Sequence, residues 1–301
     1  IGLAITVACS AAYAGHLEEI TVTGVPLTPF ADNTGLAPLA ETNTALLLRR
    51  VAGANVNFNG TLAGIPQYRG MFGSRVNTDI DGMDIGNACS NNMDSPLHYL
   101  PRTFVDHLEV IRGIAPVSGG LETIGGTIVA RSRAAEFGAS EKLELSGRLA
   151  GGGQSVDNGY SASGDFTAAN DRIRVRGAAS REAGSHRDFG DGTIRPTRYE
   201  RTAFDAGAAL RLGDGSLGID YRRNDTTKAG TPALPMDDIY SDADFVRATY
   251  LATFGNLALD ANVYWNNVDH LMNNYSLRQA PPGRSRANLA AADTLGWRVG
   301  A

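Results

Sequence analysis

From about residue 141 onward the chain alternates between two kinds of side chain. Leu143, Leu145 and Leu149 take turns with Glu144, Ser146 and Arg148, and Ile173 and Val175 with Arg172, Arg174 and Arg176. Leu257, Leu259, Ala261, Val263 and Trp265 do the same with Ala258, Asp260, Asn262 and Tyr264. A period of two sends successive side chains to opposite faces of a strand. Each segment therefore has one greasy face and one often charged. The pattern predicts eight strands, near 141–150, 158–168, 172–182, 199–212, 216–225, 244–254, 257–268 and 292–301. Links at 169–171, 213–215 and 255–256 are short, whereas 183–198, 226–243 and 269–291 are long. A soluble sandwich would share the alternation and turn its charged face to bulk water. The alternation of short and long links favours a transmembrane barrel, with short turns toward the periplasm and long loops outside.

Residues 20–137 follow a different grammar, with brief hydrophobic runs separated by glycine, asparagine and aspartate. Thr44 to Val51 reads as a short helix, opened by Thr42 or Thr44 as cap and ended near Gly53. Ile80 leads into the tight-turn pair Asp81-Gly82. Phe104 to Arg112 reads as a strand or short helix, and Ile124 to Arg131 as a strand entered through Gly125-Gly126. The prediction is a compact α+β domain ahead of antiparallel transmembrane β-barrel strands.

Composition narrows the picture. The 301 residues carry 27 basic and 32 acidic side chains, well mixed, for a net charge of -5, so no nucleic-acid footprint is present. No later stretch reaches the length of a helical membrane span, and a barrel needs none. Ile1 to Ala14 is apolar and ends in Ala12-Tyr13-Ala14, which fits small-x-small cleavage before Gly15. It lacks an initiator methionine and a basic start, so 1–14 is read as the remnant of an export signal; a buried strand or helix is the alternative. Cys9 would leave with it. Lipid attachment at Cys9 is the weaker option, because Thr6-Val7-Ala8 lacks the usual leucine. No second cysteine then remains to form an intramolecular disulfide with Cys89, a liability in an oxidising compartment unless the thiol is buried or bound.

That cysteine opens Cys89-Ser90-Asn91-Asn92-Met93, and His270-Leu271-Met272 follows far downstream. Thiolate and thioether are soft donors that favour Cu(I), imidazole is borderline, and thioether is a poor zinc ligand. Cys89, Met93, His270 and Met272 would bring a single ligand charge, which suits a monovalent soft ion. Cys89 and Met93 converge if the backbone makes a turn or tight loop. If Trp265 faces lipid, strand parity turns His270 and Met272 inward at the outer end. A lone methionine is usually core filling and a histidine near a loop is usually solvated, so the argument rests on the four together. Asn91, Asn92 and Asp94 suit loop shaping, and Asp79, Asp81 and Asp84 suit turn formation. His16, His98, His107 and His186 are scattered. No Ser-His-Asp context is recognisable, and Gly119-Gly120 and Gly125-Gly126 lack the residues of a phosphate loop. The chain reads as non-enzymatic, with no cofactor required.

Several motifs in order carry a family resemblance: Glu18-Glu19-Ile20-Thr21-Val22-Thr23-Gly24, Leu46 through Gly53, and Tyr68-Arg69-Gly70-Met71-Phe72-Gly73-Ser74-Arg75. Asp79-Ile80-Asp81-Gly82, Leu108-Glu109-Val110-Ile111-Arg112-Gly113 and Gly125-Gly126-Thr127-Ile128-Val129 complete the set. Together they resemble the plug and early barrel of TonB-dependent outer-membrane receptors. Within that family the chain is similar to the copper receptors, whose CxxxM plug motif matches Cys89 and Met93 and whose HxM barrel motif matches His270 and Met272. The resemblance implies a 22-stranded barrel, of which this chain carries about eight strands. It divides the chain into a signal remnant (1–14), a TonB-interacting segment (15–24), a plug domain (25–137) and the first part of the barrel (138–301). Glu19, Ile20, Thr21 and Val22 would pair in extended form with TonB, which transmits energy from the inner membrane. Arg69, Arg75, Glu109 and Arg112 would maintain plug packing or plug–barrel contacts. The implied partners are TonB with its energising complex, outer-membrane lipid and copper as the transported substrate, for a monomer in the Gram-negative outer membrane. Two other readings stay open: a receptor for an iron chelate or another bulky nutrient, using Tyr275, Arg278, Arg284 and Arg286 in the outer loops, and a passive or structural barrel.

Overall fold

The computed structural model describes residues 41–89, 92–112 and 123–300. The expected signal remnant, the expected TonB-interacting residues Glu19, Ile20, Thr21 and Val22, and the start of the plug lie outside the described residues.

The N-terminal region begins with a 3-10 turn, Thr44–Arg50. Its cap is Asn43, whose side chain accepts from the Ala45 amide, so the cap is neither Thr42 nor Thr44. An asparagine oxygen between two threonines reaches that orphan amide directly. Strands β1 (Ala54–Phe58), β2 (Gly64–Tyr68) and β3 (Met71–Phe72) form an antiparallel sheet. A second sheet contains β4 (Asn77–Ile80), β5 (Met83–Asp84), β6 (Val105–Ile111) and β7 (Thr127–Ser132), in the order β5-β4-β7-β6 with β4 and β7 parallel. Asp81 and Gly82 turn β4 into β5 with φ of 55° and 84°, the left-handed pair that a two-residue hairpin requires. The 104–112 segment resolves as a strand. It follows a 3-10 turn, Arg102–Phe104, and buries Val105, Leu108 and Val110.

The rest is one antiparallel sheet. Strands β8 (Glu144–Gln154), β9 (Gly159–Ala169) and β10 (Ile173–Gly184) are followed by a small hairpin of β11 (Arg187–Phe189) and β12 (Gly192–Ile194). Then come β13 (Tyr199–Leu212), β14 (Gly215–Ala229), β15 (Asp237–Phe254), β16 (Leu257–Asn273) and β17 (Ala287–Gly300). The eight long strands lie in the order β17-β16-β15-β14-β13-β10-β9-β8, each paired with its neighbour in sequence apart from the inserted hairpin. They agree with the eight expected, but β14, β15, β16 and β17 extend further into the long links. Those links shrink to 230–236 and 274–286. The extensions are rich in Thr, Asn and Asp, so the hydrophobic alternation fades there while the backbone ladder continues.

The faces decide between sandwich and barrel. Leu149 is 89 % exposed and Trp297 76 %, and Leu145, Phe166, Ile219 and Leu295 share that outer face. The apolar face is outward and the polar face is covered by the N-terminal region, which is the inverted arrangement of a membrane barrel. The core runs through Leu48, Ile80, Leu97, Leu100, Leu108 and Ile128 and continues into Ala203, Ala243, Phe245 and Val268 of the sheet.

Barrel arginines dock the two parts. Arg222 donates to Asp81 at 2.8 Å and to Asp205 at 2.9 Å, Arg298 donates to Asp79 at 2.7 Å, and Arg247 reaches the Asp81 carbonyl. Burial pushes the Asp81 carboxyl up, but the Arg222 and Arg247 guanidinium groups hold it well below the usual carboxylate range. Asp79 also accepts from the Gly82 amide at 2.9 Å, so the acidic patch forms the turn and anchors it. Arg69, Arg75, Glu109 and Arg112 are exposed, with Arg69 lying over the Tyr68 ring at 5.5 Å, and the arginines that dock the two parts lie instead on the sheet. The reason is geometric: the inward face of the long strands meets the turn.

Candidate metal centre at the plug–barrel boundary

The site has one half on each part. In β16 the even positions Tyr264, Asn266, Val268, His270 and Met272 are buried against the N-terminal region, whereas Val263, Trp265 and Asp269 are exposed. The strand runs unbroken through Asn273, so parity carries His270 and Met272 inward at the end near the long 274–286 loop.

The other half is the loop after β5. Asn92 sits at φ 53°, a left-handed conformation that asparagine tolerates, and its amide donates to the Cys89 carbonyl at 2.9 Å. Asp94 fixes the start of the same loop. Its carboxylate accepts from the Ala88 amide at 3.0 Å, the Cys89 amide at 3.2 Å and the Tyr99 hydroxyl at 3.1 Å. The tightened loop returns Met93 to the side of Cys89.

Cys89, Met93 and Met272 form one buried cluster, with Leu234 and Met236 packed against it. The Cys89 sulfur, an Asp94 carboxylate oxygen and a His270 ring nitrogen all lie within 4.8 Å of one another. The four residues singled out from sequence thus come together around Cys89, which belongs to both groups. His270 is 1 % exposed. Its Nε2 lies 3.5 Å from Asp238 Oδ1, and its buried Nδ1 has no hydrogen-bond partner. A buried nitrogen lone pair without a donor is unfavourable unless something fills it. On the far side, Asp238 accepts from the Ser241 hydroxyl at 2.8 Å. Burial pushes the Asp94 carboxyl up, so the ionised form gains from a nearby cation.

Asp94, Asp238, Leu234 and Met236 are additions that the sequence did not single out as site residues. The remaining candidates lie elsewhere. His98 is buried, with Nδ1–H donating to the Leu62 carbonyl at 3.3 Å and Nε2 lying 3.1 Å from the Thr226 hydroxyl oxygen. His107 lies 3.5 Å from Asp106, and His186 Nδ1 accepts from the Thr197 amide at 3.2 Å. His16 is outside the described residues. Tyr275, Arg284 and Arg286 are exposed, whereas Arg278 is engaged with Asp237. Among the described residues no helix is long and apolar enough to cross a membrane.

Comparison with known proteins bears on this arrangement. Residues 36–127 match the family model of the TonB-dependent receptor plug domain. A search of curated proteins gave no match. The fold is similar to the solved structure of the copper transporter OprC, with a TM-score of 0.77 and 26% identity over 87% of this chain and 42% of that one. It is also similar to the FrpB iron transporter from Neisseria meningitidis, with a TM-score of 0.67 and 15% identity over 88% of this chain and 44% of that one. The siderophore receptor PirA from Acinetobacter baumannii gives a TM-score of 0.66 and 13% identity over 88% of this chain and 43% of that one. The chain thus spans less than half the length of each. These proteins are transporters or receptors, in line with a non-catalytic chain. Residues 36–127 thus match a TonB-dependent receptor plug domain, and the antiparallel sheet that follows is arranged like part of an outer-membrane barrel.

Proposed function

We propose that this chain is the plug and early barrel of a TonB-driven receptor that takes up copper, held by Cys89, Met93, His270 and Met272. The observation that carries this reading is the convergence of two plug residues and two barrel residues in one buried cluster, with the unpartnered His270 Nδ1 beside it. A thiolate and two thioethers favour Cu(I). Capture converts the Cys89 thiol to a metal-bound thiolate and so releases its proton at neutral pH. Copper is the transported substrate here, and no cofactor is needed. Because the ligand set is divided between plug and barrel, movement of the plug splits it and weakens the ion's hold. In this reading TonB engages Glu19 to Val22 and supplies that movement.

The likeness to a copper transporter supports the reading, while the likenesses to FrpB and PirA concern the fold alone. A chelate receptor would draw on the outer loops, but Arg278 is committed to Asp237. A passive barrel has no use for a plug that fills the inner face of the sheet. The test is Cu(I) content of the full-length receptor under reducing conditions, for wild type and Cys89→Ala. The variant should lose the tightly bound ion. Equal stoichiometry and affinity in both would sink the copper site.

A further inference from the structure

We propose that Arg278 is a positioning residue that fastens segment 230–236 over the buried cluster of Cys89, Met93 and Met272 and so sets how often that cluster opens to the outside. The inference rests on the copper reading for the identity of the ion, whereas the closure itself is a property of the two loops.

Segment 230–236 joins β14 to β15 at the same end of the sheet as His270 and Met272. Leu234 and Met236 are half-buried, and the side they bury is the cluster of Cys89, Met93 and Met272. The segment is therefore a cover. Its base is pinned: the Gly230 carbonyl lies so close to Gly60 of the plug that a Cβ there would come within 2.2 Å of it. Gly230 also donates from its amide to the Arg198 carbonyl at 2.9 Å.

The outer part is held differently. Leu234 donates to the Thr231 carbonyl at 2.9 Å, and Thr231 donates from its amide to Asp237 at 2.8 Å and from its hydroxyl to the Met236 carbonyl. These bonds keep the turn folded on itself and tie it to nothing else. The tie comes from Arg278 in the next loop. Its Nε donates to Asp237 Oδ2 at 2.7 Å, its Nη1 to the Leu234 carbonyl at 2.7 Å, and its Nη2 to the Thr231 carbonyl at 3.0 Å and to Asp237 Oδ1. One planar fork thus satisfies a fully buried carboxylate and two backbone carbonyls at once, a geometry that lysine lacks.

Arg278 is itself well placed to act as a clasp. Its loop is braced by Asn273, which donates to the Ser276 hydroxyl at 2.8 Å and accepts from the Ser276 amide at 2.8 Å. Asn274 adds a bond to the Arg284 carbonyl at 2.9 Å and accepts from the Arg286 amide at 2.8 Å. The end of β16 that presents His270 and Met272 therefore also supports the residue that holds the cover on them. Breaking one clasp loosens the cover without removing any of the proposed ligands.

The experiment uses the full-length receptor in detergent, reduced and free of metal. Alkylation of Cys89 by N-ethylmaleimide is timed for wild type, Arg278→Gln and Arg278→Lys, with Cys89→Ala giving the background from any other thiol. Local opening governs the reactivity of a buried thiol, so Arg278→Gln should speed labelling about tenfold, with Arg278→Lys in between. Dissociation of Ag(I), a soft monovalent probe, should accelerate in parallel. Labelling within about twofold of wild type in both variants would overturn the clasp. If Arg278→Gln fails to fold, Arg278→Lys, which keeps a cation beside Asp237, decides on the same threshold. Faster labelling in a receptor whose wild type binds no Ag(I) would retain the clasp and remove the copper reading; Ag(I) bound through Cys89 with unchanged labelling would do the reverse.

Discussion

Arg201 and Glu182 meet on neighbouring barrel strands, each 1 % exposed, with Arg201 Nε donating to the carboxylate at 2.6 Å. The rest of the guanidinium reaches into the plug, to the His98 carbonyl at 2.8 Å and the Thr42 carbonyl at 2.7 Å. Removing one partner of such a buried pair leaves the other uncompensated, which costs about 3–5 kcal/mol. Arg201→Met should therefore lower stability by about that amount in denaturant melts of the folded receptor in detergent. Adding Glu182→Gln should recover a large part of the loss; a double variant no more stable than the single would show that packing, not charge, dominates. The same scale explains which candidate ligands were legible. Cys89, Met93, His270 and Met272 stood out because sulfur and imidazole are rare and chemically specific. Asp94 and Asp238 did not, because aspartate is common and its role here depends on placement. The pairing of Asp238 with Met272 and of Ser241 with His270 follows a register shift between Asp238 and Tyr240, which no local pattern encodes.

At the scale of elements, β16 is the strand on which sequence and structure agree most fully. Its two-residue period predicts an outer face at Trp265 and an inner face at His270, and burial follows that division. Agreement is better at the short turns than at the outer strand ends. Short turns sit beside apolar residues that end abruptly, whereas the outer ends carry polar side chains facing the plug and read as loop. The small β11–β12 hairpin was missed for the same reason, since both its strands are short and exposed. A membrane barrel adds a dependence on depth that a soluble sheet lacks. Val263, exposed near the middle of the spanning stretch, should tolerate arginine poorly, with Val263→Arg costing about 2–4 kcal/mol. Asp269→Arg, on the same outward face near the outer end, should cost about 0–1 kcal/mol. Equal losses in melts of the two variants would mean that lipid does not cover this face as the exposure pattern implies.

At the scale of the whole molecule, plug and barrel share one core and a set of charged bonds, so protonation on one side is felt by both. His98 is the clearest instance. It lies on the plug, its ring bonded to Leu62 of the plug and Thr226 of the barrel, with the Arg201 guanidinium donating to its carbonyl. Burial, helped by the Arg201 charge, lowers its pKa from an ordinary 6.5 to about 4. Between those values an unfolded chain binds a proton that the folded molecule refuses. The folded value is depressed, so His98 imposes no penalty well above pH 6.5, and stability falls as pH drops from there toward about 4. Near pH 4.5 the loss from this one group is on the order of 2–3 kcal/mol. His98→Gln keeps a donor and an acceptor on the side chain and removes the titration. Denaturant melts of the full receptor near neutral pH and near pH 4.5 should therefore show a smaller acid loss in the variant than in wild type, by about that amount. Parallel slopes in the two proteins would mean that the acid sensitivity of plug docking lies elsewhere, with the carboxylates that hold the barrel arginines as the next groups to vary.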